Sequence, residues 1–205
     1  QESGSDHVLR PSLAPLAVLM LVCWLPVAAC AQADEAAQAQ PEASAPGPSS
    51  VEIPEFFLTI QAPPDAEGWE YLDDPDAFGW DPRVFAAGWV RAIDQGQAGL
   101  CVLVQRTGAD SRPIEWAAAI RVAFEAGDGR FTEVFSEAVI VGDDEEIAYA
   151  GAQGPATLPV VGYGDQAGKV LVGVVTNGPD VVQVVATGTL DADLRSEVDR
   201  MISGL

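Results

Sequence analysis

The sequence predicts one α+β domain, an antiparallel β-sheet flanked by helices. Three observations carry this. Short β-prone runs separated by turn signals recur between residues 56 and 189. One mid-chain segment switches to four-residue apolar spacing, and a Val-rich hairpin near the end leads into a last helical segment. Sheet on one side and helix on the other is the layer arrangement that accounts for all three.

Taken in order, Phe56-Phe57-Leu58-Thr59-Ile60 is a short strand ended by Pro63-Pro64, and Gly68-Trp69-Glu70-Tyr71-Leu72 begins a second. DDPDAFGWDP, residues 73–82, is turn-rich and predicts a loop. Val84 to Ile93 is apolar on both faces, and Gly99 to Gln105 is strongly β-prone, with Asp94-Gln95-Gly96-Gln97 as the hairpin loop between them. Ser111-Arg112-Pro113 reads as a helix start, with Ser111 as cap and proline in the first turn. Trp116, Ile120 and Phe124 then follow at four-residue spacing, and Gly127 ends the helix. Phe131 to Val141 is extended, with Glu146 to Ala150 as its partner. Lys169 to Thr176 and Val181 to Thr189 are strands joined by Asn177-Gly178-Pro179-Asp180. A closing helix carries Leu194, Val198, Met201 and Ile202, with Asp191 as its cap and Gly204 past its end. No internal repeat is present.

The first fifty of the 205 residues are of another kind. Leu13 to Ala29 is an apolar run broken by Pro15 and Pro26, with Arg10 ahead of it and small residues after it. It is shorter than the ~20 apolar residues of a membrane-spanning helix and has the parts of a secretory signal. The sequence opens on Gln1 rather than Met, which reads as a fragment or a misplaced start. Val27-Ala28-Ala29-Cys30 closes the run and resembles the lipobox of bacterial lipoproteins, an aliphatic residue and two small ones before a cysteine. That resemblance implies a signal peptide over 1–29 and a lipidated Cys30 as the mature N-terminus. Acyl chains, at about 0.8 kcal/mol per buried CH₂, then supply the anchor. Two other readings stay open: cleavage after Ala31-Gln32-Ala33 by an ordinary signal peptidase, and an uncleaved membrane helix. With lipidation, residues 30–51 form an Ala-, Gln-, Pro- and Ser-rich tether, expected to be disordered and to span roughly 25 Å. The globular α+β domain then covers 52–205. The lipoprotein reading places the chain on the extracytoplasmic side of the cell membrane or outer membrane.

Charge narrows the function classes. The chain has 31 acidic residues against 10 basic ones, and Lys169 is its single lysine. Such a surface repels nucleic acid phosphates, so nucleic acid is not an expected partner. The order of elements from about residue 54 to 205 resembles the PsbP-like family, named for an extrinsic photosystem II protein and also found as bacterial lipoproteins. The resemblance rests on the opening strand leading into Gly68-Trp69-Glu70, the mid-chain helix, and the closing hairpin plus helix. It implies an α/β/α sandwich used for binding or assembly, without enzymatic chemistry, and supplies no site residue.

Candidate chemistry is sparse. Cys101 sits in Leu100-Cys101-Val102-Leu103-Val104 and reads as a core residue, since the only histidine, His7, lies in the signal and cannot activate it. Gly162-Tyr163-Gly164-Asp165-Gln166-Ala167 has the dinucleotide-binding spacing, but a strand follows it where a helix is required. Asp73, Asp74, Asp76 and Asp81 lack the spacing of a calcium loop, and Asp143-Asp144-Glu145-Glu146 reads as a charged hairpin tip. Trp69 ahead of the 73–82 loop and Trp80 near its end read as core or edge packing, with a ligand groove as the alternative, while Trp116 belongs to a helix core. The expectation is a lipid-anchored, non-enzymatic binding or assembly module. It has no cofactor, no metal and no catalytic residue, and its partners are the membrane and an envelope protein or small-molecule ligand. The alternatives are a carboxylate-dependent hydrolase of envelope glycans and a calcium-dependent interaction protein.

Overall fold

The strands at the centre of the sheet are those with the longest apolar runs, because both of their faces are covered. The computed structural model describes residues 47–64, 67–93, 96–127, 130–141, 145–155 and 167–205. Cys30, the signal and the 30–46 part of the tether lie outside them, as does most of the Gly162–Ala167 motif.

Nine strands and three α-helices occur among the described residues: β1 (Ser50–Ile53), β2 (Leu58–Gln61), β3 (Glu70–Tyr71), α1 (Pro75–Phe78), β4 (Phe85–Ile93), β5 (Gly96–Arg106), α2 (Pro113–Glu125), β6 (Thr132–Val141), β7 (Glu145–Pro155), β8 (Ala167–Asn177), β9 (Asp180–Thr189) and α3 (Leu194–Ser203). Seven strands form one sheet in the order β3-β4-β5-β9-β8-β7-β6, every neighbouring pair antiparallel. β1 and β2 make a separate two-stranded hairpin. The predicted α+β class is the observed one.

Side chains of successive residues point to opposite faces of a strand, so each central strand feeds two cores. On one face Leu100, Val102, Val184 and Tyr149 meet Leu194, Val198, Met201 and Ile202 of α3, with Ile60 of the β1–β2 hairpin completing the layer. On the other face Cys101, Leu103, Val172, Val174 and Val185 meet Ala117 and Ile120 of α2 and Phe78 of α1. α3 lies over β8 and β9, and α2 over β6, β7 and β8. The β8–β9 turn is a two-residue loop with Gly178 at φ +59°, the left-handed position such hairpins give to glycine.

Several local expectations are corrected. The Phe56–Ile60 strand is split: Pro54–Phe56 is a 3-10 turn, Phe57 sits at φ +52°, and β2 starts only at Leu58. β1 precedes that turn and was not read from the sequence. The 73–82 loop contains α1, whose Phe78 is fully buried. Neither helix cap is the expected residue. Asp191 is drawn aside as acceptor of the Thr189 hydroxyl at 2.6 Å, and Asp193 caps α3 by accepting the Ser196 N–H at 3.2 Å. Ser111 instead accepts the Trp116 indole N–H at 2.8 Å. The first N–H of α2 is served by Glu146, which accepts from Ile114 at 3.1 Å.

Candidate functional site

Two places on the domain offer surface that the cores do not use. The first is a cleft at one end of the α3 face. Arg91 and Ile93 of β4, Thr187 of β9, Asp191 after it, Glu197 of α3, and Trp69 ahead of β3 line it. Its volume is about 200 Å³, below the roughly 300–1,000 Å³ of ordinary small-molecule sites.

Arg91, Glu197, Arg200 and Glu67 pair with one another at this cleft, while the Arg200 Nε is buried without a hydrogen-bond partner among the described residues. The Arg91 guanidinium stacks 4.5 Å from the Trp69 ring and donates to Glu197 at 3.0 Å. Arg200 donates to Glu67 at 2.6 Å and lies 3.5 Å from Glu197, and Arg91 is 3.9 Å from Glu67. Two arginines and two glutamates thus close a ring. The Arg200 hydrogen bond is the main reason that the Glu67 carboxyl titrates below its ordinary range. A glycosidase acid needs the opposite displacement, a raised pKa beside a second free carboxylate. Glu67 does not meet that need.

The second place is the outer edge of β6. Among the described residues the sheet has two edges, and they differ. β3 is two residues long, whereas β6 runs for ten. Phe135, Val139, Ile140 and Val141 are all exposed on it, Ile140 by 60%. The register against β7 is irregular between Thr132 and Phe135, where Glu133 takes φ +49°. From Phe135 to Val141 the ladder is regular. An edge strand of this kind presents a row of backbone N–H and C=O groups to any chain that can pair with it, and native edges are commonly blunted by lysine or proline. β6 has neither.

The residues singled out in the sequence fall elsewhere. Cys101 is 1% exposed in β5, and burial pushes its thiol up to about 12. That is the state of a core cysteine, not a nucleophile. Trp80 packs with the α1–α2 core and Trp116 is half-buried, so of the three tryptophans only Trp69 reaches the cleft. The acidic loop is committed internally: Asp74 caps α1 through the Asp76 N–H, and the Arg83 hydrogen bonds hold the Asp81 carboxyl down to about 2. Among the described residues no group of three His, Cys, Asp or Glu side chains is placed to hold a metal ion. Glu146 is more than a solvated tip, since it joins Arg112 and the start of α2. The β6 edge was missed because a strand apolar on both faces reads as an interior strand.

No protein-family model matches the chain, and no curated protein matches it. Among solved structures, it is similar to the solution structure of cyanobacterial PsbP (CyanoP) from Synechocystis sp. PCC 6803. The TM-score is 0.49 at 17% identity, over 77% of this chain and 92% of that one. Among the described residues no helix is long and apolar enough to cross a membrane.

Proposed function

We propose that this chain is an exported lipoprotein, anchored through Cys30, whose domain is a non-enzymatic assembly module that takes up a partner by strand addition at β6. The observation that carries the reading is the ten-residue edge with apolar side chains exposed on both of its faces. Strand addition draws its affinity from main-chain hydrogen bonds and its selectivity from alternate side chains. The cleft supports the same reading by contrast, because it is small and its Arg91 is already paired with Glu197. The lipobox and the Ala/Pro-rich tether support membrane attachment and reach.

Two variants test the two halves. Cys30→Ala, compared with wild type in a bacterial host by membrane fractionation and intact mass, is expected to lose the acyl mass and leave the membrane fraction. Wild type that is itself soluble and begins at Asp34 would overturn the anchor. Ile140→Lys places a charge on the exposed edge without touching either core. It is expected to reduce recovery of the pairing partner from gently solubilised membranes at least tenfold. Unchanged recovery would overturn strand addition.

A further inference from the structure

The sheet edge at β6 is apolar in its middle and has a carboxylate without a cation at each end. We propose that its partner is a cationic protein segment, an extended run that pairs with Phe135–Val141 and carries lysine or arginine just outside the paired stretch. This rests on the strand-addition reading above and names the partner's chemistry.

β6 and β7 together contain Glu133, Glu137, Glu145 and Glu146, and neither strand contains lysine or arginine. Two of these carboxylates are neutralised from the faces of the sheet. Arg195 of α3 pairs with Glu137 at 2.7 Å, and Arg112 at the start of α2 pairs with Glu146. The other two have no ion pair among the described residues. Glu133 accepts the Gln153 amide, which brings no charge, and Glu145 is exposed. Arg130, the nearest basic residue along the chain, is itself engaged. Glu133 and Glu145 mark the two ends of the regular ladder: Glu133 lies just before it, and Glu145 stands across from Val141, its last residue. At about 3.3 Å per residue the two ends are roughly 25 Å apart. Between them Phe135, Val139, Ile140 and Val141 are exposed. A strand laid along β6 brings a lysine or arginine beside Val141 within reach of Glu145, because its apolar stem can cross the ~4.8 Å width of one strand. The lysine that guards many edges is missing from β6, so nothing on the strand opposes a cationic partner.

The whole molecule works in the same direction. Its formal net charge of −21 repels a second copy, any other acidic protein and nucleic acid, and it steers cationic chains inward. Backbone hydrogen bonds and apolar contact hold the middle of the added strand, while the charges at its ends select it. Salt shortens the reach of those charges, from about 30 Å at 0.01 M to about 3 Å at 1 M, and leaves the backbone bonds in place. The preference for a cationic segment therefore falls as salt rises. The chain's own repulsion falls over the same range, so binding lost to salt is not folding lost to salt.

The test uses the whole chain in nonionic detergent and labelled synthetic peptides read by fluorescence anisotropy. Each peptide is a run of seven alternating valines and threonines. One is flanked by two lysines at each end and a second by two serines; a third is the lysine peptide methylated on its backbone nitrogens. At 0.05 M NaCl the lysine peptide should bind wild type at least tenfold tighter than the serine peptide, and the ratio should fall toward one at 0.5 M. Glu133→Gln combined with Glu145→Gln should cut the ratio at least threefold, and the methylated peptide should lose binding. An activated disulfide at the centre of the lysine peptide should be captured by Ala138→Cys at least tenfold faster than by Ala123→Cys, an exposed control on α2. Equal binding of the lysine and serine peptides at 0.05 M, or a ratio that the two glutamine changes leave unmoved, overturns the cationic partner. If the serine peptide is in that case still captured preferentially by Ala138→Cys, strand addition stands and only the charge preference falls. Lysine-peptide binding that survives methylation and shows no preference for Ala138→Cys is a polycation held by an acidic surface, and it overturns both; so does the absence of binding by any of the peptides.

Discussion

Tyr149 concentrates the polar chemistry of the α3 face. Its ring is buried under α3, its hydroxyl donates to Asp199 at 2.6 Å, and the Arg195 guanidinium lies 3.4 Å from the ring centroid. Arg195 also bonds Asp199 at 3.1 Å, so the carboxylate is shared between a phenol and a cation. Burial, and then the Asp199 acceptor, push the phenol up to about 12. A raised tyrosine favours the neutral phenol in the folded state. The stability it contributes is complete below the ordinary value of 10 and is lost as pH rises through about 12. Tyr149→Phe keeps the ring and removes the donor. The expected cost is about 1–2 kcal/mol at pH 7, the range for a hydrogen bond to a charged acceptor with partial solvent access. The gap between wild type and variant should narrow by pH 11, as urea unfolding at the two pH values would show. An equal gap at both would mean that the hydroxyl contributes through packing alone.

At the scale of elements, α3 can lie close to the sheet because β8 has glycine beneath it. A Cβ on Gly173 would stand 2.4 Å from Val198 Cγ1 and 2.8 Å from Ile202 Cδ1. Gly173→Ala is therefore overpacked and should cost about 1–3 kcal/mol. In combination with Val198→Ala the cost should fall short of the sum of the two single changes by about 1 kcal/mol, because the second change empties the space that the first one fills. Strictly additive values in denaturant unfolding would show that α3 shifts away instead. The same elements show what was legible in the sequence. β5, β8 and β9 were readable because burial on two faces leaves unbroken apolar runs, and the β8–β9 turn because Gly178 must take positive φ. The caps were not readable, since Asp191 and Asp193 are chemically alike and only the position of Thr189 decides between them. α1 was hidden because one turn has no period. The edge position of β6 was hidden because strand order is long-range: nothing local in TEVFSEAVIV says that one side has no strand neighbour among the described residues.

For the molecule as a whole, the question is whether its charge stabilises or weakens the fold. Ion pairs such as Arg106–Asp180 and Arg195–Glu137 are favourable but partly exposed, and pairs of that kind contribute about 0–1 kcal/mol each. Against them stands a formal net charge of −21, which repels itself in the compact state more than in the expanded one. Screening weakens both effects, so the sign of the salt response reports which is larger. The surplus of carboxylates far exceeds the number of arginines available to pair with them, and repulsion should win. Raising NaCl from 0.02 to 0.5 M at pH 7 is expected to raise the Tm by several degrees. The increase should shrink toward zero near pH 4.1, the isoelectric point of the sequence. A Tm that falls with salt at pH 7 would mean that the arginine pairs outweigh the net charge, with the Arg91–Glu197–Arg200–Glu67 ring as the first place to look.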